Sequence, residues 1–177
     1  APTALWNFTA PLIMRRSAIC AAATSFLRSL PVLLYIKQNP LEGLMYGAFK
    51  TYDTIPITKT KIKKNATDTA DTGADFLCSI NYVETEIGNF ITDVLYTDKP
   101  MEYTEPMVAA MLHREGINVA NIESNNGGRG FARNVEAQTR LLGNNKTKIE
   151  WFHQTANKQS RIFSRSNEVT NLTYFPT

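Results

Sequence analysis

The sequence has 177 residues, of which 43% are apolar and 20% charged, with a formal net charge of +3. That is enough for one compact domain with its own core, and the mild basic excess permits contact with nucleic acid without arguing for it. There is no internal repeat and no low-complexity tract, and Cys20 and Cys78 match no metal or redox spacing, so two small core thiols in a reducing compartment are expected.

The stretch 12–35 is apolar, and no Asp or Glu precedes Glu42. A signal or transit peptide would give such a stretch. Arg15, Arg16 and Arg28 interrupt it, however, and Pro31 would end or kink a helix there. A membrane span needs about 20 mostly apolar residues in a row, so none is expected. Residues 1–38 are read as an amphipathic arm or the remnant of a preceding region, and 39–177 as the main domain. Asn39 and Pro40 mark the break. The apolar, turn-rich run 41–49 is expected on the domain surface. Lys59, Lys61, Lys63 and Lys64 then form a basic cluster, which is a solvated turn or a contact to a DNA backbone.

Strands follow. Residues 62–68 form a first, weakly patterned strand, and Asp71, Thr72 and Gly73 a turn. In 76–83, Phe76, Cys78, Ile80 and Tyr82 alternate with Leu77, Ser79, Asn81 and Val83, an apolar face against a mixed one. Ile87 and Gly88 begin the return into 90–96, which completes a hairpin. A helix is expected to open at Thr104 as N-cap, with Glu105 in its first turn. Met107, Val108, Met111 and Leu112 would form its buried face, and Gly116 would end it. The run 117–123 reads as a buried strand ending in Glu123, and 125–130 as a Gly-rich loop. Residues 131–142 read as a helix closed by Gly143 and Asn144. Beyond it, 148–153 is a strand, 157–166 a helix, and 172–175 extended. An antiparallel hairpin followed by alternating helices and strands predicts an α/β fold: a mixed β-sheet with helices packed on its faces.

The chemistry concentrates in Thr67-Asp68-Thr69-Ala70-Asp71-Thr72-Gly73-Ala74-Asp75, with three carboxylates near one strand end. Glu123 closes a later strand, and in a mixed sheet two such ends can lie side by side. Adjacent carboxylates repel unless a cation lies between them, and hard oxygen ligands suit Mg²⁺ or Mn²⁺. Two such ions roughly 3.5–4 Å apart activate water and stabilise the leaving oxygen of a phosphodiester. Against this stands the commoner reading of Asp-Thr-Gly as an ordinary solvated turn. Aspartic proteases also carry that string, but they need a second copy or a dimer partner, and the strand pattern does not match.

Two segments carry a family resemblance: TDTADTGADFLCSINYVETEIGNFITDVLYTDKPMEYTEP and NIESNNGGRGFARNVEAQTRLLGNNKTKIEWFHQTANKQSRI. From about Asn39 to Pro176 the chain resembles the nuclease domain of bacteriophage terminase large subunits, in the form seen in phages and prophages of Bacteroides-like bacteria. Residues 1 to about 33 resemble it poorly. The resemblance implies a ribonuclease H-like fold that cleaves concatemeric double-stranded DNA with Mg²⁺ or Mn²⁺ during genome packaging, in the host bacterial cytoplasm and with no membrane role. Its partners would be DNA and, in the family, an ATPase domain, a small terminase subunit and a portal protein. Asp68 and Glu123 map to the first two catalytic acids and metal ligands. Asp75 maps to a catalytic helper and Asp71 to a weaker supporting metal ligand. The family's third acid lies in a His-Asp-Asp-like motif beyond the last strand and has no counterpart before Thr177, so a domain truncated at its C-terminus is expected. No Gly-x-x-x-x-Gly-Lys-Ser/Thr string is present, and with it the family's motor is absent. The alternative is a catalytically incomplete fragment or prophage remnant that binds DNA or packaging partners. A third is another ribonuclease H-like enzyme, such as a resolvase or transposase core.

Lys63, Lys64, Arg129, Lys158 and Arg161 would hold DNA backbone without sequence choice. For Arg129, the neighbouring glycines before a helix add phosphate-binding amides or simply a tight turn. Asn125 and Asn126 would cap that helix or orient metal-bound water. His113 is expected as a surface residue near a helix C-terminus and His153 near Gln154, Lys158 and Arg161. At least one of Trp151 and Phe152 is expected in the core, and Trp6, Tyr46, Phe49 and Tyr52 are expected to be packing groups.

Overall fold

The computed structural model describes residues 50–69, 76–125, 128–153, 155 and 168–177. Among the described residues, seven strands run β1 (Lys50–Tyr52), β2 (Ile62–Asp68), β3 (Leu77–Glu84), β4 (Asn89–Thr97), β5 (Val119–Glu123), β6 (Lys148–Phe152) and β7 (Thr173–Pro176). Two helices, α1 (Met101–Glu115) and α2 (Gly128–Leu141), lie between β4 and β5 and between β5 and β6. The strands form one sheet in the order β1-β7-β4-β3-β2-β5-β6. β2, β3 and β4 are an antiparallel meander, and β5 and then β6 continue the sheet beyond β2, parallel to it. β7 closes the other side, parallel to both β4 and β1. The mixed α/β sheet expected from the sequence is thus present.

Alternation along the strands assigns each residue a face. On one face Leu77, Ala120, Ile122 and Ile149 pack with Val108, Ala109 and Leu112 of α1 and with Phe131, Ala132 and Val135 of α2. The two helices also touch each other, through the Asn134 amide donating to Glu105 Oε1 at 2.9 Å, so both cover the same face. The opposite face gathers Ala66, Cys78, Ile80, Tyr82 and Ile91, with Val94, Tyr96 and Phe175 beside them.

The mixed face of β3 has a definite purpose. Asn65, Thr67, Ser79 and Asn81 are fully buried under α1 and bond to one another. Asn65 Nδ2 donates to Ser79 Oγ at 2.8 Å and to Asn81 Oδ1 at 2.9 Å, and Thr67 Oγ1 donates to Asn65 Oδ1 at 2.9 Å. Asn81 Nδ2 reaches the carbonyl of Met111 at 3.4 Å and ties the sheet to the helix. A closed network tolerates burial, but one with a missing member leaves its neighbours desolvated and unpaired. Asn65→Leu is therefore expected to lower unfolding stability by about 2–3 kcal/mol, because three partners lose their bonds at once. A urea midpoint unchanged by that substitution would show that the network contributes nothing.

Several boundaries differ from the sequence reading. β1 was not anticipated. α1 starts at Met101 with Pro100 at the N-cap, not at Thr104. Thr104 is buried in the helix interior instead, its hydroxyl 3.4 Å from the Met101 carbonyl. Pro106 lies inside the helix, where it removes one bond of the first turns. Met107 is 38% exposed and lies off the buried face. α2 begins at Gly128, three residues before the expected start. Gly116 and Gly143 do end the helices, at φ 62° and 85°. Neither Trp151 nor Phe152 is a core residue, because β6 is an edge strand and only its Ile149 reaches the main core. Tyr52 packs edge-on against Phe90, and Cys78 is a buried core residue, as expected. His113 is exposed in the last turn of α1. The arm 1–38, the run 41–49, Cys20 and the helix expected over 157–166 lie outside the described residues.

Candidate functional site

β2 and β5 run parallel and adjacent, with Ala66 opposite Asn121 and Thr67 opposite Ile122. One step further brings Asp68 beside Glu123, both at carboxyl-terminal strand ends. Adjacent strands lie about 4.8 Å apart, and residues level with each other in a parallel pair point to the same side. Ile122 belongs to the core under the helices and Ala66 to the other cluster. Asp68 and Glu123 therefore share the face opposite the helices.

Local contacts fix the two tips together. The Thr69 hydroxyl donates to the Glu123 carbonyl at 3.3 Å, and Ser124 N donates to the Phe152 carbonyl at 2.8 Å, holding the end of β5 between β2 and β6. Glu123 is only 8% exposed, and Asn125 Nδ2 donates to its Oε1 at 2.6 Å. Asn125 thus orients the acid with its side chain, while its carbonyl accepts from Gly128 N at 3.0 Å. Gly128 opens α2 directly over this junction. A Cβ there would lie 2.1 Å from the Glu123 carbonyl oxygen and 2.9 Å from Thr69 Oγ1, so only glycine allows the helix to start so close. The amino end of α2, with its positive partial charge, lies at the same end of the sheet as the acids.

Asp71 and Asp75 lie outside the described residues, as do Lys158, Arg161 and Asn126. Among the described residues no group of three His, Cys, Asp or Glu side chains forms a metal cluster. Two carboxylates on neighbouring strand tips, one oriented by a carboxamide, are hard oxygen donors of the kind that suits Mg²⁺ or Mn²⁺.

Arg129 is exposed in the first turn of α2, at the acid end. Arg133, also exposed, follows it at the i+4 spacing that puts both on one helix face. The sequence reading passed over Arg133, although that spacing was available once the helix was recognised. Lys63 and Lys64 are placed elsewhere. They sit five and four residues before Asp68 on β2, about 17 and 13 Å away along the strand. Lys63 Nζ donates to the Glu115 carbonyl at 2.8 Å, and Lys64 Nζ is paired with Glu84 at 2.7 Å. The segment leading into them is held by Glu86, whose carboxylate accepts from the amides of Lys59 and Thr60 at 2.8 and 3.1 Å. Those amide bonds hold the Glu86 carboxyl below the usual carboxylate range.

A cleft of about 410 Å³ lies at that far end, lined by Ile55, Lys61, Lys63, Val83, Glu115, Gly116 and Asn118. Burial pushes the Glu115 carboxyl above its ordinary value, with Asp93 adding repulsion. The Thr92 hydroxyl, donating at 2.7 Å, and Arg114 oppose the shift. Thr92 reaches Glu115 because β4 bulges there: Asn81 faces Asp93, but Tyr82 faces Ile91. A raised carboxyl binds its proton more tightly in the folded chain than in the unfolded one. Its stabilising contribution is complete below the unfolded value, near 4.3, and is lost as pH rises through the folded value. Glu115→Gln should therefore gain stability relative to the native chain as pH climbs through that window. Parallel urea-midpoint curves for the two proteins would contradict this.

No family model matches the chain, and no curated protein does. Among solved structures, it is similar to the resolvase of Fowlpox virus bound to Holliday junction DNA, at 14% identity and a TM-score of 0.38, over 56% of this chain and 68% of that one. It is also similar to a point mutant of the nuclease domain of the large terminase subunit of bacterial virus Sf6, solved with manganese and beta-thujaplicinol. That likeness has 10% identity and a TM-score of 0.44, over 67% of this chain and 64% of that one. Among the described residues no helix is long and apolar enough to cross a membrane.

Proposed function

We propose that the chain is a divalent-metal-dependent DNA endonuclease domain of ribonuclease H-like architecture, serving as the nuclease of a phage terminase large subunit that cuts double-stranded concatemeric DNA. The observation that supports this reading is the β2–β5 register, which runs to Thr67 opposite Ile122 and, continued by one step, would bring Asp68 beside Glu123. The strand order supports it: an antiparallel meander continued by two strands parallel to its first is the ribonuclease H-like arrangement. So does the resemblance of the two sequence segments around these acids.

In this reading Asp68 and Glu123 hold Mg²⁺ or Mn²⁺, with Asp75 and Asp71 as supporting acids. A bound ion would supply charge neutralisation for the phosphodiester and would lower the pKa of a water held there. The chain's own residues do the rest. Asn125 keeps the Glu123 carboxylate in one orientation, since its amide donates to Oε1. Gly128 lets the positive end of α2 approach the phosphate, and Arg129 and Arg133 offer backbone contacts that carry no sequence information. Lys158 and Arg161 would extend that surface. Lys63 and Lys64, being paired and remote, would contribute at most to a distant stretch of duplex. The small terminase subunit, the portal protein and the ATPase domain would be the assembly partners.

A plasmid-nicking assay with Mn²⁺ tests the proposal, together with Mn²⁺ binding followed by paramagnetic broadening. Metal-dependent nicking at a site sensitive to residues 68 and 123 supports it. DNA binding with neither nicking nor Mn²⁺ uptake would instead favour a binding module on the same fold.

A further inference from the structure

Phe76, the residue just before β3, is 41% exposed, and its ring lies stacked on Tyr96 with centroids 4.7 Å apart and planes 10° from parallel. Tyr96 is level with Cys78 across β3–β4, and Cys78 is level with Asp68 across β2–β3. The stacked pair therefore stands on the same face as Asp68, at the same end of the sheet. From strand spacings the Cα atoms of Phe76 and Asp68 are about 8 Å apart, roughly two nucleotide steps along a strand. Tyr96 itself is packed against the buried cluster of Ile80, Tyr82 and Cys78, so the platform has a fixed base.

The geometry points to Phe76 as a stacking platform for a nucleobase unpaired beside the scissile phosphate, so that the double-stranded substrate is engaged where its strands are locally open. This rests on the nuclease reading above and adds the substrate's local form to it. A ring already fixed by stacking loses little freedom on binding, and every base presents a π-face to it. In a continuous duplex the bases are stacked on each other and offer no such face. Flanking charge suits the same occupant: Lys99 is exposed just beyond the end of β4, and Arg129 is exposed at the start of α2. An apolar protein segment would find no reason for cations and paired carboxylates around it.

The test is fluorescence anisotropy in Ca²⁺, with a short continuous duplex and the same duplex carrying a short single-stranded gap. The native chain should prefer the gapped DNA. Phe76→Ala should weaken gapped binding about tenfold, as expected for loss of one base–aromatic stack, and leave continuous duplex within about twofold. Phe76→Leu, which keeps an apolar group against Tyr96 but no π-face, should behave like the alanine variant, and Phe76→Trp should restore the preference. No preference in the native chain, or an equal loss on both DNAs, overturns the inference while Asp68-dependent nicking would still stand. Absence of any DNA binding by the native chain removes the nuclease reading and this inference together.

Discussion

Asp68→Asn and Glu123→Gln are each expected to lower metal-dependent nicking by more than about a hundredfold, beyond the 10- to 100-fold cost of losing a group that merely supports a metal ligand. Each swap keeps the side chain's shape and removes one negative charge. Glu123→Gln also retains an oxygen able to accept from Asn125, so the strand tip should keep its place. The two acids each follow the last paired residues of adjacent parallel strands, Thr67 and Ile122, and two carboxylates so placed, with no cation between them, would repel each other and a phosphate. This gives a second readout of opposite sign: without metal, either variant should bind DNA as tightly as the native chain or more so. Mn²⁺-induced broadening should disappear in both variants. Nicking that survives both substitutions would place the chemistry elsewhere in the molecule.

Gly128→Ala is the second large effect, and it runs against ordinary helix energetics. Replacing glycine by alanine inside a helix normally stabilises by about 0.5–1 kcal/mol. At 128, however, the added methyl meets the Glu123 carbonyl oxygen at 2.1 Å, and that atom belongs to backbone held by β2 and β6. Either α2 withdraws or the end of β5 shifts, and overpacking of this kind costs about 3 kcal/mol, taking the upper end of the usual range. Gly130, two residues on, has nothing within 4 Å of the same position. Gly130→Ala should therefore stabilise by about 0.5–1 kcal/mol, and thermal melts of the pair should move in opposite directions. A Gly128→Ala protein as stable as the native chain would mean that α2 does not sit on the strand junction. Because the added methyl would displace the backbone that carries the Glu123 carboxylate, the variant should lose Mn²⁺ binding as well as stability.

The amino-acid order alone determined β3 and β4 by their alternation, the shorter runs β2, β5 and β6 with weaker patterns, and the glycine-closed ends of α1 and α2. Those signals are local, since alternation and a left-handed cap residue need no distant partner. It also marked Asp68 and Glu123 as acids at strand ends. What the tertiary structure decided was everything that depends on a partner strand. The neighbouring β2–β5 register, and not any spacing in the chain, puts two acids 55 positions apart on one face. The edge position of β6 leaves Trp151 exposed although its composition suits a core. Lys63 and Lys64 looked like DNA contacts in the sequence, but the antiparallel pairing of β2 with β3 places Glu84 within reach of Lys64, and the return of α1 brings a helix carbonyl to Lys63. Arg133 and Phe76 gained meaning only when the sheet end they share with the acids was formed. Local preferences are written residue by residue, whereas lateral neighbours follow from strand order, which no stretch of sequence contains.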